Sequence, residues 1–525
     1  MLGTAPIYAA VVRSSIMTKW LLILLLSTRA LAQVSDAASS DQQQDTLKLH
    51  YEAAGRYARS GEQDQAALEY KVFLAEGLHR IANGEASAGE FATAVGLFDE
   101  ALSLAPHDNH VRLDYARVSL DAENLVQAKT LAEEAVHSDP KNAQARFLLG
   151  SVLFHLEDYA GARDQLEVAV AANSDFKTGY LLGRTYLVLH DEKRARILFD
   201  EMIAGLGDSA LIHIYFGRAY SLMDYPDQAD AEFQKAIAKD SHAPDAHYYR
   251  ALAYLRHDES VGYVKAIPEF EAELKINPND VRCHYMLGYI ALKQGQFVQA
   301  EAELSQAAAL QPDVNTLVNL AEVYTAERRA GDAEATLRKA IVASEKGAPD
   351  QQRSGRAHYL LGRLLMKAGR PEEAKSEMTI AAQQPDTSGM TSGPSAEARV
   401  ISSSSLAQQE ARDRSDQSDS PASSTELKKV EVFKKELSPA VGEAYNALGV
   451  FAAGKQDFMA AVHFFEDAEL WNPELDGIDR NLGMAALQAG RYDQAVKSLG
   501  QYVSVHPDDQ AASAALADAR KRLHP

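Results

Sequence analysis

Residues 182–199 read LGRTYLVLHDEKRARILF, and residues 216–236 read FGRAYSLMDYPDQADAEFQKA. In both stretches a Gly follows an apolar residue, a Tyr stands three positions later, an Ala nine positions after the Tyr, and a Phe four positions after the Ala. The two Gly residues are about 34 positions apart, a period typical of stacked structural repeats. The two stretches therefore predict that most of the chain is built from copies of one unit.

The small residue that begins this pattern identifies about twelve copies of the unit. It falls at Ala54, Ala82, Ala116, Gly150, Gly183, Gly217, Ala251, Gly288, Ala321, Gly362, Gly449 and Gly483. A second small residue, Ala, follows twelve positions later in each copy except the one at Ala251, where three extra residues in the inter-helix turn would restore it at Ala266. Gly within a helix costs about 1 kcal/mol relative to Ala, so its recurrence at one phase indicates two helices in close contact.

The pattern resembles that of the tetratricopeptide repeat family. The resemblance implies an all-α fold, a right-handed α-solenoid of about twelve helix-turn-helix units. Each unit buries its apolar face only against its neighbours, and such arrays need a polar cap. We expect the last helix, over about 510–523, to be that cap, because Asp518, Arg520 and Lys521 give it a polar outer face.

Composition and charge agree with a helical array and exclude some functions. The chain has 525 residues, few aromatic residues and one Cys. A formal net charge of −21 argues against a general nucleic-acid binder, because such proteins neutralise phosphates with a basic face. Cys283 cannot form an internal disulfide, and we expect it to be buried in the first helix of its repeat.

The N-terminus has the pattern of a secretory signal peptide over residues 1–32. The apolar run 20–26 follows Lys19, and Ala30-Leu31-Ala32 supplies small residues that predict cleavage before Gln33. Met17 is an alternative start. The run is short for a transmembrane span, so we expect no span after cleavage and a periplasmic or secreted location in a bacterium. An uncleaved anchor stays open as an alternative.

The repeat phase divides the rest of the chain into three segments. An N-terminal array of about ten repeats covers 47–385, and a Ser-rich flexible linker follows over 386–425. The segment 426–525 contains a helix, two repeats and the capping helix. The helix ELKKVEVFKKEL begins at Glu426 and has apolar residues on one face, so we expect it to dock beside the last two repeats.

No catalytic motif accompanies the repeats. The sequence lacks the patterns of zinc proteases, Ser hydrolases, phosphate-binding loops and Cys-x-x-Cys redox sites. His247, His284 and His358 share one phase of the first helix, which favours a packing role over metal binding. We therefore expect no enzymatic activity, no cofactor and no metal.

The resemblance places a binding groove along the first helices, lined by the fifth, sixth and ninth residues of each repeat. In this sequence those places are occupied by Tyr180, Arg184, Tyr215, Arg218, Tyr248, Tyr249, Tyr285, Tyr289, Asn319, Tyr359 and Arg363. Tyr and Arg suit peptide recognition, since Tyr offers a flat apolar body with a hydroxyl and Arg grips carboxylates with two hydrogen bonds. The Lys and Asn pair by which some members hold a C-terminal carboxylate is not matched here.

The sequence thus predicts an exported protein-interaction scaffold that binds a peptide or a partner helix in its groove. Envelope assembly, secretion and polysaccharide export are the settings that fit. Two alternatives stay open: a subunit that recruits substrate to a separate enzyme, and a structural protein that assembles into a homo-oligomer through its solenoid ends.

Overall fold

The computed structural model describes residues 46–257, 259–346, 354–383 and 424–524. These residues form 24 helices and no strand, which confirms the predicted all-α solenoid. The predicted signal peptide, 1–32, lies outside the described residues, as does the predicted linker, 386–425, except for its last two residues. In the described part of the chain, no helix combines the length and apolar character that crossing a membrane requires.

The described helices belong to two compact units. The first, which we call the split unit, joins the beginning of the chain to its end. Its helices are α1 (46–60), α2 (Gln63–Ser87), α3 (Phe91–Leu104), α4 (Asn109–Asp121), α5 (Leu125–Ser138), α6 (Ala143–His155), α7 (Tyr159–Ala172), and then α20 (Ser424–Gly454), α21 (Phe458–Trp471), α22 (Ile478–Gln488), α23 (Tyr492–Val505) and α24 (Gln510–Leu523).

The second unit, which we call the central unit, contains the six repeats that lie between α7 and α20 in the sequence. Its helices are α8 (Phe176–Val188), α9 (Glu192–Leu206), α10 (Ala210–Leu222), α11 (Pro226–Lys239), α12 (Ala246–His257), α13 (Glu259–Ile276), α14 (Val281–Lys293), α15 (Phe297–Leu310), α16 (Val314–Ala326), α17 (Ala330–Lys346), α18 (Ser354–Lys367) and α19 (Pro371–Gln383).

The small residues of the pattern let the two helices of a repeat touch. A Cβ atom added at Gly183 would lie 2.2 Å from Cε1 of Phe199, and one added at Gly217 would lie 2.7 Å from Cε1 of Phe233. Phe199 and Phe233 are almost wholly buried as a result. The recurring Gly is therefore needed for packing, as the sequence predicts.

In every repeat except the one formed by α12 and α13, whose turn lies outside the described residues, the turn between the two helices contains one residue with a positive φ. It is a Gly in some repeats, such as Gly295 at 73°, but Glu123 at 60° or His190 at 58° in others. This conformation disfavours residues that carry a Cβ by roughly 1–2 kcal/mol. The cost is small enough for packing to overcome, so Gly alone does not mark these turns in the sequence.

Two irregular repeats differ from the prediction. The small residues Ala54 and Ala82 are too close together to leave room for a turn between repeats, and α2 accordingly runs on for 25 residues as one helix. The three extra residues before Ala266 do not lengthen a turn. α12 ends at His257 and α13 begins at Glu259, so the insertion extends the second helix to 18 residues.

The expectation for the helix at Glu426 is corrected. It is not a separate helix, because α20 continues for 31 residues into the first helix of the next repeat. α20 packs against α2 as well as α21. A Cβ added at Gly84 would lie 2.6 Å from Cγ2 of Val430. The C-terminal repeats are therefore packed on the first repeats of the chain.

Candidate binding groove

The first helices of the central unit form one face. α8 packs on α10, α10 on α12, α14 on α16 and α16 on α18. We call the side of these helices that carries Tyr180, Tyr215, Tyr285 and Tyr359 the first-helix face. The predicted groove residues all belong to the helices that build this face.

Aromatic rings and one guanidinium form a continuous row across the first three of these repeats. The ring centroids of Phe176 and Tyr180 are 5.7 Å apart, and that of Tyr215 lies 5.0 Å from Phe176 and 5.8 Å from Tyr180. The guanidinium carbon of Arg218 lies 5.6 Å from the centroid of Tyr215 and 4.4 Å from that of Tyr249. The row therefore passes from one repeat to the next without a break.

Burial separates the predicted groove residues into two sets. Half-buried or exposed are Tyr180, Tyr215, Tyr285, Tyr359 and Arg363. Buried are Arg184, Arg218, Tyr248, Tyr249, Tyr289 and Asn319. The first set offers surface to a ligand, while the second holds neighbouring side chains in position.

Hydrogen bonds and ion pairs connect this face from repeat to repeat. Asn319 donates from Nδ2 to the hydroxyl of Tyr285 at 3.2 Å. Arg356 is paired with Glu322 in the preceding repeat, with 2.7 Å between Nη2 and Oε1. These links fix the relative positions of side chains on adjacent helices, so the face is ordered before any ligand arrives.

Three carboxylates meet where α12, α13 and α14 join. Oxygens of Asp245, Glu273 and Asp280 lie within 4.8 Å of one another. Arg282 forms ion pairs with both Asp245 and Asp280, and Glu273 accepts hydrogen bonds from the backbone N–H groups of Asp245 and Tyr248. Burial alone would raise the pKa of Asp280, but the hydrogen bond and charge of Arg282 outweigh it and lower that pKa. These partners make the cluster a structural joint between repeats.

This joint was missed by the sequence reasoning. Its residues match no motif, and two of them, Asp245 and Asp280, lie in the segments between helices. The guanidinium of Arg282 also lies 4.3 Å from the ring centroid of Tyr248, which links the joint to the buried part of the row. The sequence offers one signal for this joint: Asp245 and Arg282, which carry opposite charges, stand at the two ends of the lengthened repeat.

The His residues of the first helices have a packing role, as predicted, but their partners lie within the same repeat. In His247, His284 and His358, Nδ1 lies 2.6 Å from a carboxylate oxygen of the second helix. The same distance separates His50 from Glu69 and His213 from Glu232. The acceptors for the first three are Glu269, Glu303 and Glu377. These bridges join the two helices of a repeat.

Cys283 is fully buried in α14, in agreement with the expected structural role. Burial raises the pKa of its thiol, and the nearby carboxylates of Asp280 and Glu273 raise it further. A thiol in this state is a poor nucleophile.

Comparison with known proteins decides the family. Models described as tetratricopeptide repeat match residues 113–175, 218–281, 480–520, 263–318 and 355–378. The chain belongs to the tetratricopeptide repeat family. The matched tetratricopeptide repeats fall in both units and include the last repeat of the chain.

Two curated proteins are similar over part of their length. The chain is 25% identical over 342 residues to cellulose synthase operon protein C of Xanthomonas axonopodis pv. citri (strain 306), which covers 61% of this chain and 20% of that protein. It is 22% identical over 281 residues to superkiller complex protein 3 of Mus musculus, with 46% and 18% covered. The chain thus spans about a fifth of the length of these relatives.

A solved tetratricopeptide repeat protein from Parabacteroides merdae ATCC 43184 is also similar. It is 15% identical, with a TM-score of 0.33, and the match covers 56% of this chain and 98% of that one.

Proposed function

We propose that this protein is an exported scaffold for protein–protein interaction that holds an extended peptide or a partner helix against the first-helix face. The observation that carries the proposal is the row of Tyr and Arg side chains connected across successive repeats, from Tyr180 through Arg218 to Tyr249. In this role the protein binds a partner without catalysing a reaction, and a separate polypeptide supplies any catalysis.

The chemistry of the row supports peptide binding. Tyr and Arg are enriched among the residues that dominate binding energy at protein interfaces. Here their side chains are already ordered by contacts with one another, so binding would immobilise few rotamers. Backbone amides of an extended peptide could pair with the hydroxyls of Tyr180, Tyr215 and Tyr285 along the face.

The N-terminal sequence supports export, and the proposed location is the bacterial periplasm or the exterior. A relative named for a cellulose synthase operon makes polysaccharide production or export one fitting setting, alongside envelope assembly and secretion. Expression of the full chain in a bacterium, followed by N-terminal sequencing of the product in the periplasmic fraction, tests this. We expect the product to begin at Gln33, and an intact N-terminus in the cytoplasm would contradict export.

A photo-crosslinking experiment tests the binding face. A photoreactive amino acid is placed at Tyr215, Tyr285 or Tyr359, and as matched controls at Val264 or Val298, which are highly exposed on second helices. In envelope extracts we expect one protein to crosslink at all three face positions, as identified by mass spectrometry. Crosslinks that are equally strong at the control positions, or none at the face, would reject the face as the binding site.

A further inference from the structure

The first helices of the central unit are basic in a strongly acidic protein. The chain has a formal net charge of −21. Within these six helices, all of them described, Glu322 is the one carboxylate among ten basic residues. The basic residues are Lys177, Arg184, Arg218, Arg250, Arg256, Arg282, Lys293, Arg356, Arg363 and Lys367. The second helices of the same unit carry eighteen acidic and eleven basic residues, so charge is segregated between the two layers.

Part of this positive charge is neutralised within the protein. Arg250 is paired with Asp230 and Glu269, and Arg356 with Glu322. Arg282 is held by the carboxylate joint described above. These three guanidinium groups have structural partners and are not available to a ligand.

The other basic residues include a set without such partners. Lys293, Arg363 and Lys367 form no ion pair with any residue that the structure describes. Instead, the Nζ of Lys293 lies 5.0 Å from the ring centroid of Tyr289, and the guanidinium carbon of Arg363 lies 5.7 Å from that of Tyr359. Arg363 and Lys367 are exposed. Their charges are therefore open to an anion.

Arg363 and Lys367 border a cleft between α16 and α18. The cleft has a volume of about 280 Å³, and Ala321, Leu360 and Leu364 are among the apolar residues that line it. Glu322 also lines the cleft, but its carboxylate is paired with Arg356. Residues four apart on a helix lie on the same face, so both cations stand at one side of the cleft. It joins an apolar floor to a pair of positive charges.

The same geometry disfavours a sugar polymer. Sugar rings bind aromatic side chains by stacking on an open ring face. Here cations lie near ring faces along the row, with Arg218 between Tyr215 and Tyr249 and Arg363 beside Tyr359. A carboxylate approaches a guanidinium through its N–H groups and needs no open ring.

We infer that the first-helix face binds an acidic, extended segment of a partner protein, an inference that rests on the proposed function of this face. Adjacent packed helices are about 8–10 Å apart, and an extended chain advances about 3.3 Å per residue. Lys293 in α14 and the pair Arg363 and Lys367 in α18 are two helices apart, because α16 between them has no basic residue. Carboxylates about six residues apart would therefore meet both sites, and a peptide with an acidic residue at every third position contains this spacing. The cleft beside Arg363 and Lys367 is where two such charges and an apolar contact come together.

The test uses the full chain and two synthetic extended peptides. One has Glu at every third position with Ser and Gly between, and the other has Gln in place of Glu. Fluorescence anisotropy at low salt should show the Glu peptide binding at least about tenfold more tightly, with an advantage that salt reduces. The double variant Arg363→Gln/Lys367→Gln should lose most of this difference in affinity between the two peptides. The matched control Lys339→Gln/Lys375→Gln removes two charges from second helices and should bind like the original protein.

Three results would overturn the inference. Equal affinity for the Glu and Gln peptides would reject the acidic partner while leaving a peptide groove in place. Binding of neither peptide would also reject it, and the crosslinking at Tyr215, Tyr285 and Tyr359 would then decide the proposed function separately. Tighter binding of a polyuronate that is lost in the Arg363→Gln/Lys367→Gln variant would assign the face to an anionic polysaccharide instead.

Discussion

Tyr445 in α20 donates its hydroxyl to the carboxylate of Glu100 in α3, although 345 positions separate them in the chain. Tyr445 is fully buried. Burial raises the pKa of Glu100, and the hydrogen bond from Tyr445 only partly offsets this effect. Asp467 lies nearby, and its own burial, followed by the charges of Glu100 and Glu466, raises its pKa to about 6. The contact between the two ends of the chain therefore contains carboxylates in an unfavourable environment.

The raised pKa of Asp467 predicts a pH dependence of stability. A carboxylate whose folded pKa is above its unfolded value destabilises the fold when ionised, so the loss is present above about pH 6 and is relieved as the pH falls toward its unfolded pKa near 4. Allowing for its partial exposure, we expect Asp467 to contribute roughly 1 kcal/mol of extra stability at pH 5 relative to pH 7. Urea unfolding of the original protein and of Asp467→Asn at both pH values measures this. The variant should lack that contribution, and an identical pH dependence in both proteins would contradict the prediction.

The close contact of α2 and α20 at Gly84 predicts that a Gly to Ala change there lowers the stability of the protein, the reverse of its usual effect in a helix. Ala normally stabilises a helix by about 1 kcal/mol relative to Gly. At Gly84 the new Cβ would meet Val430, so Gly84→Ala should destabilise the split unit by about 1–3 kcal/mol. The matched control is Gly96→Ala in α3, where no atom lies within 4 Å of the added Cβ and the change should stabilise. Chemical denaturation compares the two, and stabilisation by Gly84→Ala would show that α20 does not pack there.

Packing of α20 on α2 also predicts the behaviour of a cleaved chain. A specific protease site inserted at Ser404, within the predicted linker, would divide the protein between its last central repeat and α20. We expect the two pieces to co-elute in size-exclusion chromatography, because α20 shares a compact unit with α2. The larger substitution Gly84→Leu should separate them. Separation of the unsubstituted pieces would reject the contact.

The His–Glu bridges predict energetic coupling between the helices of a repeat. The side chains of His358 and Glu377 are largely buried, and a double-mutant cycle with His358→Ala and Glu377→Ala should give a coupling of about 1 kcal/mol. His463 and Glu466 serve as the control, because this pair is largely exposed and longer, at 3.3 Å. Exposed pairs contribute little, so its coupling should be near zero. Equal coupling energies for the two pairs would mean that burial does not strengthen the bridge between His358 and Glu377.

The repeat pattern was sufficient to predict most helices and the positions of the groove residues within those helices. It did not predict which of those residues a ligand can reach. Tyr215 and Arg218 are three residues apart in one helix, yet Tyr215 is half-buried, whereas Arg218 is buried and its guanidinium contacts the ring of Tyr249 in the next repeat. Burial depends on the neighbouring repeat, whose side chains vary.

The spacing of residues within about one repeat was enough to establish the family, the packing of Gly183 against Phe199, and the position of the final helix. All three depend on contacts between residues that are near each other in the chain. The placement of α20 on α2, with Tyr445 reaching Glu100, was decided by tertiary structure alone. Two helices that are distant in sequence leave no periodic trace of their contact, and only the fit of Val430 against Gly84 and of the surrounding surfaces selects it.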